Sequence, residues 1–132
     1  MLTQQSTTHT HTYPAQADQV RHIRRALADY LPACPAAADA ILIASELATN
    51  AIIHSASRGR TFTIRTEVHP EHIRIEVEDH GGPWHREPPD GRPHGLDVIE
   101  ALTGPGNWGV ETTSDGRRIV WAQLDLPTGK RA

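Results

Sequence analysis

The residues best suited to chemistry are a carboxylate and a carboxamide inside an otherwise apolar segment, ILIASELATNAIIHS at positions 41–55. Glu46 and Asn50 are four residues apart, so on a helix their side chains lie on one face, about 5–6 Å from each other. Burying both together costs several kcal/mol unless partners satisfy them. Hydrated Mg²⁺ is one such partner, because it takes oxygen ligands and usually holds substrate phosphates as well. The segment therefore predicts a binding site on a helix.

The composition is that of one domain. The 132 residues, of which 37% are hydrophobic and 22% charged, suffice for one core but not for two. A net charge of −3 argues against a protein that binds nucleic acid through a basic field. No apolar run approaches the ~20 residues of a membrane span, and no signal-peptide pattern is present. Cys34 is the only cysteine and fits a reducing compartment, so we expect a cytoplasmic protein without membrane or direct nucleic-acid contacts.

The basic residues and the histidines limit the kind of site. Lys130 is the only lysine and lies outside any G-x-x-x-x-G-K-[ST] sequence, which excludes a P-loop. Nine histidines raise the alternative of a transition-metal site. None of them has the spacing of an H-E-x-x-H motif, and no second cysteine is available as a ligand. A metal site is therefore the weaker hypothesis.

Hydrophobic periodicity predicts two helices, a β-hairpin, a third helix and a final pair of strands, in that order. The first helix is amphipathic, and the second carries a stripe of small residues that allows close packing. The hairpin strands alternate between apolar and charged residues, which indicates one buried and one solvated face. The predicted helices cover 15–31, 36–54 and 96–102, and the predicted strands cover 62–68, 73–78, 108–113 and 118–124.

The remaining segments lack such periodicity. Residues 1–12 are polar and threonine-rich, so we expect a disordered tail, followed by a domain over 13–126 and a second tail over 127–132. Residues 80–94 are rich in glycine and proline. A loop of this length inside a compact domain is usually functional or mobile.

Three short motifs follow one another along these elements. The second helix carries Glu46 and Asn50, the sequence Asp-His-Gly-Gly at 79–82 closes a strand, and His-Gly-Leu at 94–96 joins the long loop to the third helix. Each is common alone, because polar pairs occur on many helices and Asp-x-Gly is usually a turn. Together they resemble the GHKL (Bergerat-fold) superfamily of ATP-binding proteins, and within it the bacterial anti-sigma-factor serine kinases.

The resemblance extends over about residues 13–126. It implies an α+β fold, a two-layer sandwich in which a mixed, mainly antiparallel sheet packs against about three helices. It also implies ATP and Mg²⁺ as cofactors. Asn50 would coordinate Mg²⁺, Glu46 would be the catalytic general base for the attacking hydroxyl, and Asp79 would accept a hydrogen bond from the adenine amino group.

The remaining site residues implied by the resemblance contact the nucleotide through the backbone. Gly81 and Gly82 would allow close approach of the base and sugar. Gly95, with its neighbours His94 and Leu96, would present amides at a helix N-terminus, where phosphate oxygens bind. The loop over 80–94 would be the ATP lid.

The chain departs from the family pattern at two positions. Pro93 occupies the first glycine position of the second glycine motif and has no N–H for a phosphate. After Gly116 the family often has a threonine, whereas this chain has Arg117 and Arg118. Without a P-loop lysine, the charge on the γ-phosphate would fall to Mg²⁺ and an arginine, and Arg86 and Arg92 in the lid are the candidates.

Two functions follow from the resemblance. The first is a Mg²⁺-dependent, ATP-binding serine/threonine kinase of the anti-sigma-factor type, with a sigma factor and/or an anti-anti-sigma protein as partners. The alternative is a non-catalytic module that keeps ATP binding and regulates a partner by sequestration. Both are compatible with a homodimer.

Overall fold

The computed structural model describes residues 6–54, 60–81 and 95–126. Every predicted helix and strand is present there, with ends that differ by a few residues. The first helix begins later than predicted because the residues before it form a turn, in which the Gln19 amide donates to the carbonyl of Gln16 at 3.0 Å. The elements are β1 (Thr7–Pro14), α1 (Gln19–Tyr30), α2 (Pro35–His54), β2 (Thr61–Val68), β3 (His72–Asp79), α3 (Gly95–Thr103), β4 (Trp108–Thr112) and β5 (Arg118–Asp125).

The strands form one five-stranded sheet in the order β1-β2-β3-β5-β4. Each neighbouring pair is antiparallel, so the described sheet is antiparallel throughout rather than mixed. After α3 the chain enters the sheet at its edge as β4 and returns as β5 beside β3. This return places the start of β5 against the end of β3, where Arg118 is the register partner of Asp79.

Residues 7–12 were predicted to be disordered, and this prediction is wrong, because they form most of β1. The strand pairs with β2 from Thr7 opposite Val68 to Pro14 opposite Thr61. Ladder hydrogen bonds come from the backbone, and β-branched threonines suit an edge strand even when their side chains are exposed. His9 adds a ring stack on Tyr30 of α1, with centroids 3.9 Å apart. A low apolar content therefore did not mean disorder.

The helices cover one face of the sheet, and the core lies between these two layers. Along β3 and β5 alternate side chains are buried, which is the alternation that the sequence predicted. α2 is the central helix, since it packs against both other helices and against β2, β3 and β5. Its small residues are fully buried and let it approach closely; they are Ala40, Ala44, Ala48 and Ala51.

The apolar character of α2 also bears on the prediction that no segment could span a membrane. Residues Pro35–Ile53 are long and apolar enough to cross one by length and composition alone, a test that the core helix of a soluble protein also passes. Here the apolar side chains of α2, such as Ile43 and Leu47, belong to the core cluster under the sheet.

The opposite face of the sheet carries charged side chains, as predicted. Glu76 on β3 accepts from Arg65 on β2 and from Arg74, at 2.7 Å in both cases. The Arg74 guanidinium lies 4.4 Å from the ring centroid of Trp121. Gly109 on β4 makes room for this indole, because a Cβ there would lie 2.8 Å from its Nε1.

Two leucines on α2 test the assignment of the core. Leu47 is 1% exposed and Leu42 is 41% exposed. We expect Leu47→Ala to lower the free energy of unfolding by about 2–5 kcal/mol, because it removes buried methyl groups and leaves a cavity. The matched control Leu42→Ala should change it by less than about 0.5 kcal/mol. Urea denaturation measures both, and equal losses would contradict the packing described above.

Candidate functional site

α2 places Glu46 and Asn50 one turn apart, as predicted. Asn50 is only 7% exposed, and its Nδ2 has no hydrogen-bond partner among the described residues. Glu46 is half-buried. A buried polar group without a partner costs about 1–3 kcal/mol, so a ligand that engaged this amide would recover that cost. Rotation of the carboxamide exchanges the positions of its oxygen and nitrogen. The side chain can therefore present its oxygen to a cation or its nitrogen to a hydrogen-bond acceptor.

The other small polar residues on this part of α2 are not comparable candidates. The Ser45 hydroxyl donates to the carbonyl of Ile41 at 2.9 Å, and the Thr49 hydroxyl donates to the carbonyl of Ser45 at 2.8 Å. Both side chains are satisfied within the helix itself. Asn50 is thus the residue of this segment whose polar side chain is buried and still open to a ligand.

Asp79 ends β3 on the inner face of the sheet and is 2% exposed. Its Oδ1 accepts the amide hydrogen of Gly81 at 2.7 Å. Burial raises the pKa of this carboxyl above its ordinary value, against the opposing effects of the Gly81 hydrogen bond and the Arg118 guanidinium. Asp79 is therefore a buried acceptor whose charge depends on a few specific neighbours.

Gly81 holds the turn after β3 in a conformation that favours glycine. Its φ is +74°, and an added Cβ would collide with the carbonyl oxygen of Gly116 in the β4–β5 connection. The sequence suggested glycine here for the approach of a ligand. The structure adds a reason within the chain, because the Asp79 turn packs directly against the turn that precedes β5.

Arg118 is the neighbour of Asp79 that the sequence analysis did not place in the site. Its Nε lies 3.4 Å from Asp79 Oδ1 and its Nη2 lies 3.5 Å from Oδ2. The residue is 7% exposed and lies on the inner face, in the same alternation as Val120 and Ala122. The alternation of buried residues along β5 could have identified Arg118 as a neighbour of Asp79, but only together with the register that pairs the end of β3 with the start of β5. The candidates Arg86 and Arg92 lie outside the described residues.

Charged groups of both signs surround His80 in this turn. Burial lowers the pKa of His80, and the guanidinium groups of Arg60 and Arg117 lower it further. Asp79 and Glu78 act on the pKa of His80 in the opposite direction. Glu78 also pairs with Arg117 at 2.6 Å, so the cationic side chains here are accompanied by carboxylates.

The third predicted motif lies at the start of α3. Gly95 and Leu96 are its first two residues, and the helix packs against α2 and β5. Its N-terminal amides therefore belong to a helix that adjoins the one carrying Glu46 and Asn50. Gly82, His94, Pro93 and most of the predicted lid lie outside the described residues.

The described ranges offer no support for the transition-metal alternative. Within 6–54, 60–81 and 95–126, no group of three His, Cys, Asp or Glu side chains is arranged to hold a metal ion. Cys34 is a free thiol of intermediate exposure.

Comparison with known families decides the superfamily. A model of the histidine kinase-like ATPase domain matches residues 13–113. The chain belongs to this family. Its fold is similar to that of a solved structure, the RsbU and RsbW domains of Rv1364c from Mycobacterium tuberculosis, with a TM-score of 0.69 and 20% identity over 92% of this chain. The chain spans 33% of the length of that structure, and no curated protein matches it.

For this histidine kinase-like domain, the raised pKa of Asp79 predicts a pH dependence of stability. The carboxyl has its ordinary pKa of 3.8 in the unfolded chain and a higher one in the folded state. The folded state therefore binds more protons between the two values. Stability from this group is fully present below the unfolded pKa and is lost as pH rises through the folded pKa. The unfolding free energy of the wild type, relative to that of Asp79→Asn, should fall over this interval.

Urea denaturation between about pH 3 and pH 8 measures the difference between the two proteins. Asp125→Asn, at the exposed end of β5, is the control. A constant difference between wild type and Asp79→Asn across that range would mean that burial does not raise the pKa of Asp79.

Proposed function

We propose that this protein binds ATP with Mg²⁺ between α2, the end of β3 and the start of α3, and that it is a serine/threonine kinase of the anti-sigma-factor type. The observation that carries the proposal is Asn50, a buried amide one turn after Glu46 whose nitrogen has no hydrogen-bond partner within residues 6–54, 60–81 and 95–126. Membership of the histidine kinase-like ATPase family supports it. The residue pattern of ELATNAIIHS supports a sigma factor and/or an anti-anti-sigma protein as partners, in the cytoplasm.

The described residues fit this ligand chemically. The carboxamide oxygen of Asn50 is the kind of ligand that Mg²⁺ prefers, and the carboxylate of Glu46, the general base, lies one turn away on the same helix. The Asp79 carboxylate is an acceptor of the kind that an exocyclic amino group needs. The N-terminus of α3 offers amide donors for the phosphates.

Each residue then has a defined part in phosphoryl transfer. Bound MgATP supplies the γ-phosphoryl group and part of the charge compensation. Glu46 accepts the proton of a serine or threonine hydroxyl. The hydroxyl oxygen forms the new bond to phosphorus while the bond to the β–γ bridging oxygen breaks and ADP leaves. Asn50 would hold Mg²⁺ through its amide oxygen, and Asp79 would accept a hydrogen bond from the adenine amino group.

Titration calorimetry with ATP, ADP and GTP, with and without Mg²⁺, tests nucleotide binding. We expect ATP and ADP to bind in preference to GTP, because guanine carries a carbonyl where adenine carries an amino group. Asp79→Asn should reduce the preference for adenine by about tenfold or more, since it loses a charged acceptor. Asp125→Asn should behave as the wild type. Equal indifference to all three nucleotides would remove the proposal.

Transfer is tested separately from binding with Glu46→Gln. We expect this variant to lose phosphorylation of an anti-anti-sigma protein by about 10²-fold or more, because the amide cannot take the hydroxyl proton. ATP affinity should stay within about threefold of the wild type, since Glu46 acts on the hydroxyl group of the substrate protein and not on the adenine ring. Glu111→Gln, on the exposed part of β4, is the control. Transfer of labelled phosphate and calorimetry give the two readouts.

The same pair of measurements separates the kinase from a sequestering module. A protein that binds ATP but transfers no phosphate to any candidate partner, in the wild type as well as in Glu46→Gln, acts by sequestration. Loss of transfer confined to Glu46→Gln identifies the kinase.

A further inference from the structure

Asp79 and Arg118 form an ion pair in which both side chains are buried. They are register partners at the paired ends of β3 and β5, and both side chains point to the helix-facing side of the sheet. The nitrogen–oxygen distances of 3.4 and 3.5 Å exceed the 2.7–3.2 Å range of a well-formed N–H···O bond. The guanidinium is thus held beside the carboxylate without a tight fork-like bond to it.

The Arg118 guanidinium lies beside both carboxylate oxygens of Asp79, and these are the atoms that the adenine base would have to contact. Oδ1 already accepts from the Gly81 amide, and both oxygens face Arg118 nitrogens. The residue as a whole is 2% exposed. A base can therefore reach the carboxylate only after a neighbouring group has moved. Gly81 lies so close to the Gly116 carbonyl that an added Cβ would collide with it, so its backbone has little room to move, whereas the Arg118 side chain has several rotatable bonds.

We propose that Arg118 competes with the base for Asp79, so that adenine binds only when the guanidinium has left this carboxylate. The inference rests on the proposed function and assigns an affinity-determining residue to the same site. Arginine carries only donors, and the adenine amino group is also a donor toward Asp79. A carboxylate can accept from several donors, so the exclusion is one of space. Asp79 is 2% exposed and Arg118 nitrogens lie 3.4 and 3.5 Å from its two oxygens, which leaves no room for a base while the guanidinium stays there.

Competition of this kind lowers the measured affinity without changing the bound state. The apparent dissociation constant is the intrinsic one divided by the fraction of molecules in which Asp79 is accessible. A short side chain with a hydroxyl, such as threonine, would leave the carboxylate accessible at all times. It could also accept a hydrogen bond, which arginine cannot.

The preceding residue, Arg117, provides a matched control. Arg117 precedes Arg118 and points to the opposite face of the sheet, where its Nε lies 2.6 Å from Glu78 Oε2. Arg117→Thr removes the same charge from the same turn without changing the partner of Asp79. Any effect of net charge or of the turn should therefore appear in both variants, and an effect of competition only in Arg118→Thr.

The test is calorimetric titration of the wild type, Arg118→Thr and Arg117→Thr with ATP and with inosine triphosphate. The latter carries a carbonyl in place of the adenine amino group. We expect Arg118→Thr to bind ATP about tenfold more tightly than the wild type, as for an accessible fraction of about one in ten. Its affinity for inosine triphosphate should change by less than about twofold, and Arg117→Thr should match the wild type within the same factor.

The titrations are run at about pH 8 because a carboxyl whose pKa is raised by burial is more fully ionised at higher pH. Circular dichroism checks that each variant is folded. Because Arg118→Thr leaves a buried carboxylate without its counter-ion, it can fail to fold. Arg118→Gln then replaces it, since its shorter, neutral amide can still donate to the buried carboxylate but lacks the guanidinium, and tightening for ATP in the same direction is expected.

The outcomes separate the two proposals. Equal or weaker ATP binding by the folded Arg118 variant, beside a wild type that binds ATP, overturns the competition and leaves the proposed function standing. Equal tightening for ATP and inosine triphosphate also overturns it, because the gain would not involve the amino group. Absence of ATP binding in all variants and the wild type overturns both. Binding gained only in the Arg118 variant supports the competition.

Discussion

The site depends on one constraint, the burial of a carboxylate at the end of a central strand. Asp79 is removed from water on the inner face of the sheet, which is costly for an ionised group unless donors surround it. The Gly81 amide and the Arg118 guanidinium are those donors. Both donors depend on the connection that leads into β5. Gly81 packs against Gly116 in that connection, and Arg118 is the first residue of β5. The antiparallel pairing of β3 with β5 therefore builds the surroundings of this carboxylate.

The helix layer contributes a different kind of group. Asn50 lies in the core helix α2, among alanines that let this helix pack closely on the sheet and on α3. Its amide nitrogen has no partner in the described part of the chain, whereas Ser45 and Thr49 are satisfied by the helix backbone. The two layers thus differ in how they are prepared for a ligand. The sheet holds an acceptor that is already paired, and the helix holds an amide whose nitrogen has no partner in the ranges that the structure describes.

Much of this architecture was predictable from local patterns. Alternation in β2, β3 and β5 and the small-residue stripe of α2 gave the elements and the buried face, because burial imposes these periods on the sequence. The prediction for residues 7–12 was wrong because an edge strand is held by backbone hydrogen bonds and needs few apolar side chains. Arg118 was missed because strand order brings β5 beside β3, and a charged residue at a strand end looks solvated when read alone.

By itself the sequence determined the candidate chemistry, since Glu46, Asn50, Asp79 and the glycines are recognisable from residue type and spacing, and the family model matches the same stretch. The tertiary structure alone decided which groups are paired. Spacing along a helix fixes neighbours four residues apart, but a contact between Asp79 and Arg118 spans 39 positions and exists only because two strands align in one register. Long-range pairing of this kind depends on the whole sheet, and no local pattern encodes it.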